Sequence, residues 1–217
     1  RNLRSNVKKS ISLSVFNVDK ENNPMDKNSL NKYSIYNLGY YYSDIGIIKY
    51  LNTSVNTEFS NNFGKLNLVF DYRKLFNSNR QFQARVYLGK FFWNNNKFDN
   101  FKYNLGRSGG YLFLDNYLGR SERTGLLSQQ FIMAGGGFKS FFEDPTTNNF
   151  MLTSNLNIGI WKWVEGYLDL GTLKNKNEDP RYFYGTGIRL NLLPDFFELY
   201  FPISSSNGFE LNDYRYY

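Results

Sequence analysis

The chain has 217 residues, 26 Lys and Arg against 19 Asp and Glu, a net charge of +7, and neither cysteine nor histidine. A length of this order is material for one domain, so residues 1–217 are read as a single unit. Without imidazole the chain has no histidine ligand for a metal, no histidine general base and no Ser-His-Asp triad, so no catalytic residue, metal site or cofactor is expected in it.

Taken in chain order, the candidate elements are strands defined by an apolar/polar alternation of period two. They fall at about 7–18, 32–43, 47–59, 64–76, 81–93, 110–118, 127–140, 149–162, 164–173, 181–192 and 195–203, with an incomplete one near 209–217. Side chains on a strand point alternately to its two faces, so each segment acquires one apolar and one polar surface. In 64–76 the apolar side is Leu66, Leu68, Phe70 and Tyr72, against Asn67, Asp71 and Arg73. In 81–93 it is Phe82, Val86, Leu88 and Phe92, against Gln83, Arg85, Tyr87 and Gly89. Across 149–173 the even positions carry Leu152, Leu156, Ile158, Ile160, Leu168 and Leu170, and the odd ones carry Asn155, Asn157, Glu165 and Asp169. In 181–192 Tyr182, Tyr184, Ile188 and Leu190 oppose Arg189 and Asn191, and in 195–203 Leu199 and Phe201 oppose Glu198. Strand 127–140 fits less well, because Gly135-Gly136-Gly137 suggests a bend or a close approach.

Charge in mid-strand on the polar face, on strands long enough to cross a bilayer, is the pattern of a transmembrane antiparallel up-and-down β-barrel of about twelve strands, apolar outward and polar inward. The expected lipid-facing set is Leu66, Leu68, Phe70, Val86, Leu88, Ile158, Ile160, Leu168, Leu170, Leu190, Leu199 and Phe201. The expected lumen network is Asp71, Arg73, Arg85, Glu165, Asp169, Arg189 and Glu198. Four acids against three bases, in a lumen narrower than that of a 16–18-stranded porin, read as a cross-linked polar core, with a small selective channel as the alternative. Trp93, Trp161, Trp163, Tyr182 and Tyr184 lie near strand ends, where an interfacial aromatic girdle belongs.

The links between strands alternate in length. Residues 42–46, 76–81, 161–164 and 193–195 are short connections, whereas 19–31, 94–109, 143–149 and 174–180 are longer and polar. Short periplasmic turns and longer outside loops place both termini in the periplasm, although 61–64 and 119–125 break the rule. No run approaches the ~20 apolar residues of a membrane-spanning helix. The opening residues do not form a signal peptide, so the chain is expected to follow a processing site or an upstream domain. Its basic residues are scattered through turns, which points away from nucleic acid and toward anionic outer-membrane lipid, lipopolysaccharide included. Glu165 and Asp169 lie roughly 13 Å apart along one strand at ~3.3 Å per residue, too far for a glycosidase pair. A soluble ligand-binding β-barrel remains a further alternative at this stage, since a soluble sheet also alternates.

Several segments carry a family likeness. Asp115-Asn116-Tyr117-Leu118-Gly119-Arg120-Ser121, Ser128-Gln129-Gln130 and Gly136-Gly137-Phe138-Lys139-Ser140 are the first. Ile158-Gly159-Ile160-Trp161-Lys162-Trp163 and the run from Gly187 to Pro202 complete the set. Together they resemble the C-terminal region of Bacteroidota envelope proteins related to gluzincin, aminopeptidase-like metallopeptidases. The resemblance implies a bacterial outer-membrane barrel that anchors a periplasmic peptidase-like region or serves as a platform for other outer-membrane or periplasmic proteins. The zinc motif His-Glu-x-x-His has no counterpart here, so no catalytic role is carried over.

Overall fold

The computed structural model describes residues 5–19, 32–76, 80–95, 101–106, 135–193 and 197–210. Its strands in chain order are β1 (Val7–Asp19), β2 (Lys32–Ile45), β3 (Lys49–Phe59), β4 (Phe63–Leu75), β5 (Gln81–Asn94), β6 (Tyr103–Asn104), β7 (Thr146–Thr147), β8 (Phe150–Trp161), β9 (Val164–Lys174), β10 (Arg181–Leu193), β11 (Phe197–Ser205) and β12 (Gly208–Phe209). Ten of them form one antiparallel up-and-down sheet in the order β1-β2-β3-β4-β5-β8-β9-β10-β11-β12, and β6 pairs with β7 alone.

Two expectations change. β5 pairs directly with β8, from Phe82↔Ile158 to Lys90↔Phe150, so no strand drawn from 110–118 or 127–140 lies between them. Residues 110–118 lie outside the described residues, while 135–140 form no strand; instead they pack against the sheet. Among the described residues the main sheet therefore has ten strands rather than about twelve, the last of them two residues long. The expected strand near 209–217 is described only over Gly208–Phe209, because 211–217 lie outside the described residues.

The corrected order also sharpens the loop pattern. At the sheet end where β1 begins, the strands are joined through residues 46–48, 76–80, 162–163 and 194–196. At the opposite end the links are 20–31, 60–62, 95–149, 175–180 and 206–207. Every link at the first end spans five residues or fewer, and the long ones are confined to the second. The 119–125 link falls within the single connection 95–149 from β5 to β8; the short 60–62 and 206–207 links are exceptions at the long-loop end.

The two faces of the sheet differ chemically. One face is covered: Ile35, Phe63, Met151, Leu173 and Asp169 on it have almost no exposed surface. The other is open, with Ile11, Leu13 and Val15 on β1 exposed by 75%, 76% and 55%, and Ile158 and Ile160 on β8 by 54% and 57%. The covered face has two zones. Toward the short-turn end it is polar and charged, with Gln81, Gln83, Asn157, Glu165, Arg189 and Asn191. Toward the long-loop end it is apolar, with Tyr33, Ile35, Phe63, Phe91, Met151 and Leu173 in one cluster.

That cluster draws side chains from β1 (Phe16, Val18) through β10 (Phe183) around shared members Phe101, Leu105, Phe138 and Phe142. Seven strand spacings separate β1 from β10, roughly 33 Å in a flat sheet at ~4.8 Å per spacing. Residues that far apart meet one compact group only if the sheet curls around it, and the right-handed twist of antiparallel strands favours such curling.

Glycines on the covered face make room for what lies inside. A Cβ on Gly89 would stand 2.7 Å from the Tyr103 ring, and one on Gly171 would stand 2.9 Å from the Phe138 ring. Gly89→Leu is therefore expected to lower the unfolding free energy by about 1–3 kcal/mol, as overpacking of a filled core does. The comparable change at outward-facing Ser154 should cost less than half as much. Urea titration of the two variants, followed by intrinsic fluorescence, checks the difference.

Candidate functional site

The covered face is filled by the chain itself. Two stretches of the connection between β5 and β8, residues 101–106 and 135–142, lie against it. They are tied together by the backbone: Phe138 donates its N–H to the Leu105 carbonyl at 3.0 Å, and Gly136 donates to Asn104 at 3.4 Å. Leu105 in turn donates to the Pro145 carbonyl at 3.0 Å, next to the β6–β7 ladder. Gly136 is obligatory at this crossing, since a Cβ there would come within 2.4 Å of the Leu105 backbone. Gly137 has φ of +68°, a left-handed conformation that glycine adopts without steric cost.

At the long-loop end the contacts are aromatic. The Phe101 ring sits 4.5 Å from Phe63 and 5.3 Å from Tyr33, centroid to centroid. Tyr103 lies 4.7 Å from Phe91 and 6.2 Å from Tyr87, and its hydroxyl donates to the Leu66 carbonyl at 3.2 Å. Phe142 meets Phe138 at 5.7 Å and Phe183 at 5.2 Å, edge to face. Each edge-to-face pair adds about 0.5–1.5 kcal/mol beyond the area it buries.

Deeper in, the anchor is ionic. Lys139 Nζ lies 2.8 Å from Asp169 Oδ1, both side chains nearly or wholly inaccessible. The same ammonium stands 5.5 Å from the Tyr167 ring centroid and 5.5 Å from that of Tyr200. Burial pulls the Lys139 pKa down, and the neighbouring Asp169 carboxylate pushes it back up. Burial also raises the Tyr103 phenol, keeping it a neutral donor. Asn155 bridges the segment and the carboxylate: its Nδ2 donates to Asp169 Oδ1 at 2.8 Å and to the Gly136 and Gly137 carbonyls at 3.2 Å each. Arg85 donates to the Gly135 carbonyl at 2.9 Å and to Asn155 Oδ1 at 3.2 Å.

A second group lies toward the short turns. Arg189 contacts both Glu198 and Glu165, the latter at 3.4 Å, and donates to Gln83 Oε1 at 3.1 Å. Glu165 also accepts from Gln81 at 2.7 Å and from Asn191 at 3.0 Å, and Tyr200 donates to Glu198 at 2.7 Å. A third buried pair, Glu58 with Lys65 at 3.3 Å, sits nearer the long-loop end.

All seven residues of the expected network lie on the covered face. Glu165, Arg189 and Glu198 are brought into one cluster, and Arg85 and Asp169 into another through Asn155. Asp71 stands opposite Arg85 in register, and the Arg73 guanidinium lies 5.5 Å over Tyr50. Asn155 has the polar parity expected of it, whereas Lys139 and the Glu58–Lys65 pair lie outside the expected network. A signal for the pair existed, because both members are ionisable residues at inward parity near the adjoining ends of β3 and β4.

Each carboxylate of these two clusters is bound by a cation and by at least one neutral donor, amides for Glu165 and Asp169 and the Tyr200 phenol for Glu198, an arrangement that holds structure. Among the described residues no group of three or more Asp, Glu, His or Cys could hold a metal ion. On the open face stand all twelve residues of the expected lipid-facing set, with Phe70, Val86, Ile158, Ile160 and Leu170 exposed and the others half-buried by cross-strand neighbours such as Leu68↔Leu88. Trp161 and Trp163 stand exposed at the short-turn end, and Trp93, Tyr182 and Tyr184 at the long-loop end. No family model, curated protein or solved structure matches the chain.

Removing one partner of a fully buried ion pair leaves an uncompensated charge. Asp169→Leu alone should therefore cost about 3–5 kcal/mol. The double change Asp169→Leu with Lys139→Met should recover more than half of that loss. Unfolding midpoints of the two single variants and the double variant provide the cycle.

Proposed function

We propose that the chain is a closed β-barrel that spans the bacterial outer membrane and acts as a membrane anchor or assembly platform for a periplasmic peptidase-like region or for partner proteins. The observation that carries this reading is the open face. It presents apolar side chains on the long strands from β1 to β11, while the ion pairs of Asp169, Glu165 and Glu198 lie beneath it. Exposed apolar patches on soluble monomers rarely exceed a few hundred Å², and a face this continuous needs lipid or another apolar surface over it. Closure of the sheet follows from the same setting, since unpaired strand edges are excluded from hydrocarbon.

The aromatic positions fit a membrane of ordinary thickness. Trp161 pairs with Val164, and Tyr182 pairs with Thr172, eight residues further along β9. At ~3.3 Å per residue that is roughly 26 Å along the strand, comparable to the ~25 Å apolar band of such barrels. At the short-turn end the exposed cations Lys8, Lys9, Lys49, Lys74, Arg80 and Lys162 suit anionic head groups. Short turns at that end orient it toward the periplasm, which puts the long-loop end toward lipopolysaccharide.

An anchor is favoured over a transport channel because the chain's own residues 101–106 and 135–142 occupy the covered face. It is favoured over a soluble ligand-binding barrel because the exposed face is apolar along the long strands, whereas the buried charges lie on the covered one. The peptidase-like partner region rests on the family likeness of the second half of the chain. No catalysis is assigned to residues 1–217.

Two measurements test the reading. The protein should require detergent for extraction and should insert into phosphatidylcholine vesicles, where lipids brominated near the head group quench Trp161 and Trp163 more than lipids brominated at mid-chain. Monodisperse extraction without detergent would refute it. Leu168→Arg, at the middle of the apolar band, should reduce folding stability in vesicles by about 2–4 kcal/mol, against 0–1 kcal/mol for the same change near a strand end. In planar bilayers the intact chain should give no resolved single-channel steps; regular steps would favour the channel.

A further inference from the structure

The open face is not uniform. Between β5, β8, β9 and β10 it holds a groove of about 490 Å³, with Val86, Leu152, Leu170, Tyr182 and Tyr184 among its walls and Ser154 and Thr172 among the smaller residues lining it. The groove arises from the register. Leu88, Leu152, Thr172 and Tyr182 form one row across the four strands, and Val86, Ser154, Leu170 and Tyr184 form the next. A small polar residue in each row leaves a depression between larger neighbours. Its volume falls within the roughly 300–1,000 Å³ of small-molecule sites.

One row nearer the long-loop end the chemistry changes abruptly. There Lys90 of β5 and Lys174 of β9 flank Phe150 of β8 in direct register, Lys90↔Phe150↔Lys174. Both lysines have the outward parity of the groove residues, in series with Val86 and Leu88 on β5 and with Leu170 and Thr172 on β9. Lys174 is exposed, and Lys90 is half-buried with its ammonium donating to Asn149 Oδ1 at 2.6 Å. Two strand spacings, about 10 Å, separate their backbones, within the span over which two long side chains can converge on one anion.

We infer that this groove and its two lysines form a binding site for one membrane lipid with an anionic phosphate head group, the acyl chain lying along Leu152, Leu170 and Tyr184 and the phosphate held between Lys90 and Lys174. The inference rests on the membrane-spanning reading above. It goes beyond that reading by naming a place on the wall and a lipid class. In a bilayer the acyl chain gains little from leaving other chains, because lipid tails are as apolar as the groove. Preference among lipids must therefore come from the lysines, whose attraction for an anionic surface amounts to roughly fivefold per residue.

The probe is phosphatidylglycerol, compared with phosphatidylcholine, titrated into the detergent-solubilised chain and read by native mass spectrometry. Wild type should retain phosphatidylglycerol in preference, with one lipid bound most tightly. Lys90→Gln with Lys174→Gln should weaken that retention roughly 25-fold while leaving phosphatidylcholine unchanged. Ser154→Phe, which fills the groove without touching charge, should weaken retention of the same lipid. Lys32→Gln removes an exposed charge at the long-loop end of β2, away from the groove, and should leave it intact. Equal retention of both lipids, no effect of the Lys90 and Lys174 pair, or an equal loss from Lys32→Gln would overturn the site. Failure of wild type to insert into phosphatidylcholine vesicles would instead overturn the membrane reading, so the two failures are told apart.

Discussion

The buried Lys139–Asp169 pair is the interaction on which the interior depends. An ammonium and a carboxylate removed from water cost several kcal/mol each, and only close geometry with further hydrogen bonds offsets that cost. Here the geometry is close at 2.8 Å, Asn155 donates a second hydrogen bond to the carboxylate, and two tyrosine rings stand near the ammonium. The pair therefore fixes where residues 135–142 can lie. Once they are fixed, Gly136 must cross Leu105, and the aromatic residues at 101–105 must cover the part of the sheet face that the charges leave free.

The alternative would be an interior lined by strand side chains alone. The apolar inward residues argue against that arrangement. Ile35, Phe63, Phe91, Met151 and Leu173 face inward at the long-loop end, where water in an empty lumen would meet them at a cost of about 25 cal/mol per Å². Phe101, Tyr103, Leu105 and Phe142 remove that surface from water. The polar zone needs no such cover, because Arg189, Glu165, Gln81, Gln83 and Asn191 bind one another across β5, β9 and β10.

The strands were legible because period two is a strong signal when one face is charged. Asp71, Arg85, Asp169 and Arg189 each mark the inward parity of their strand, and the observed bounds fall within a few residues of those read from the alternation. The inward segment was not legible for the same reason. Residues 101–105 fall in the stretch 94–109 that reads as a long polar link, although Phe101, Tyr103 and Leu105 alternate with polar residues, and Gly135-Gly136-Gly137 suggests a strand with a bend. Nothing local distinguishes a segment that joins a ladder from one that packs on its surface. Lys139 escaped notice because its partner, Asp169, is thirty residues away and on another element. The glycines were the available clue. Gly89, Gly171 and Gly185 hold inward positions in strands otherwise rich in large residues, and each lies against a residue of the inward segment.

The two zones also bear on what such an interior can do. A conducting path would have to pass from the ion pairs at the short-turn end through the packed rings at the other. The Phe63–Phe101 and Phe91–Tyr103 contacts, at 4.5 Å and 4.7 Å between centroids, leave no gap for water between them. Moving those rings would strip Tyr103 from the Leu66 carbonyl and expose the apolar wall behind it. An interior that tethers its own contents by hydrogen bonds, ring contacts and a buried charge pair is suited to rigidity. Rigidity is what an anchor requires, whereas a transport path requires contents that can yield.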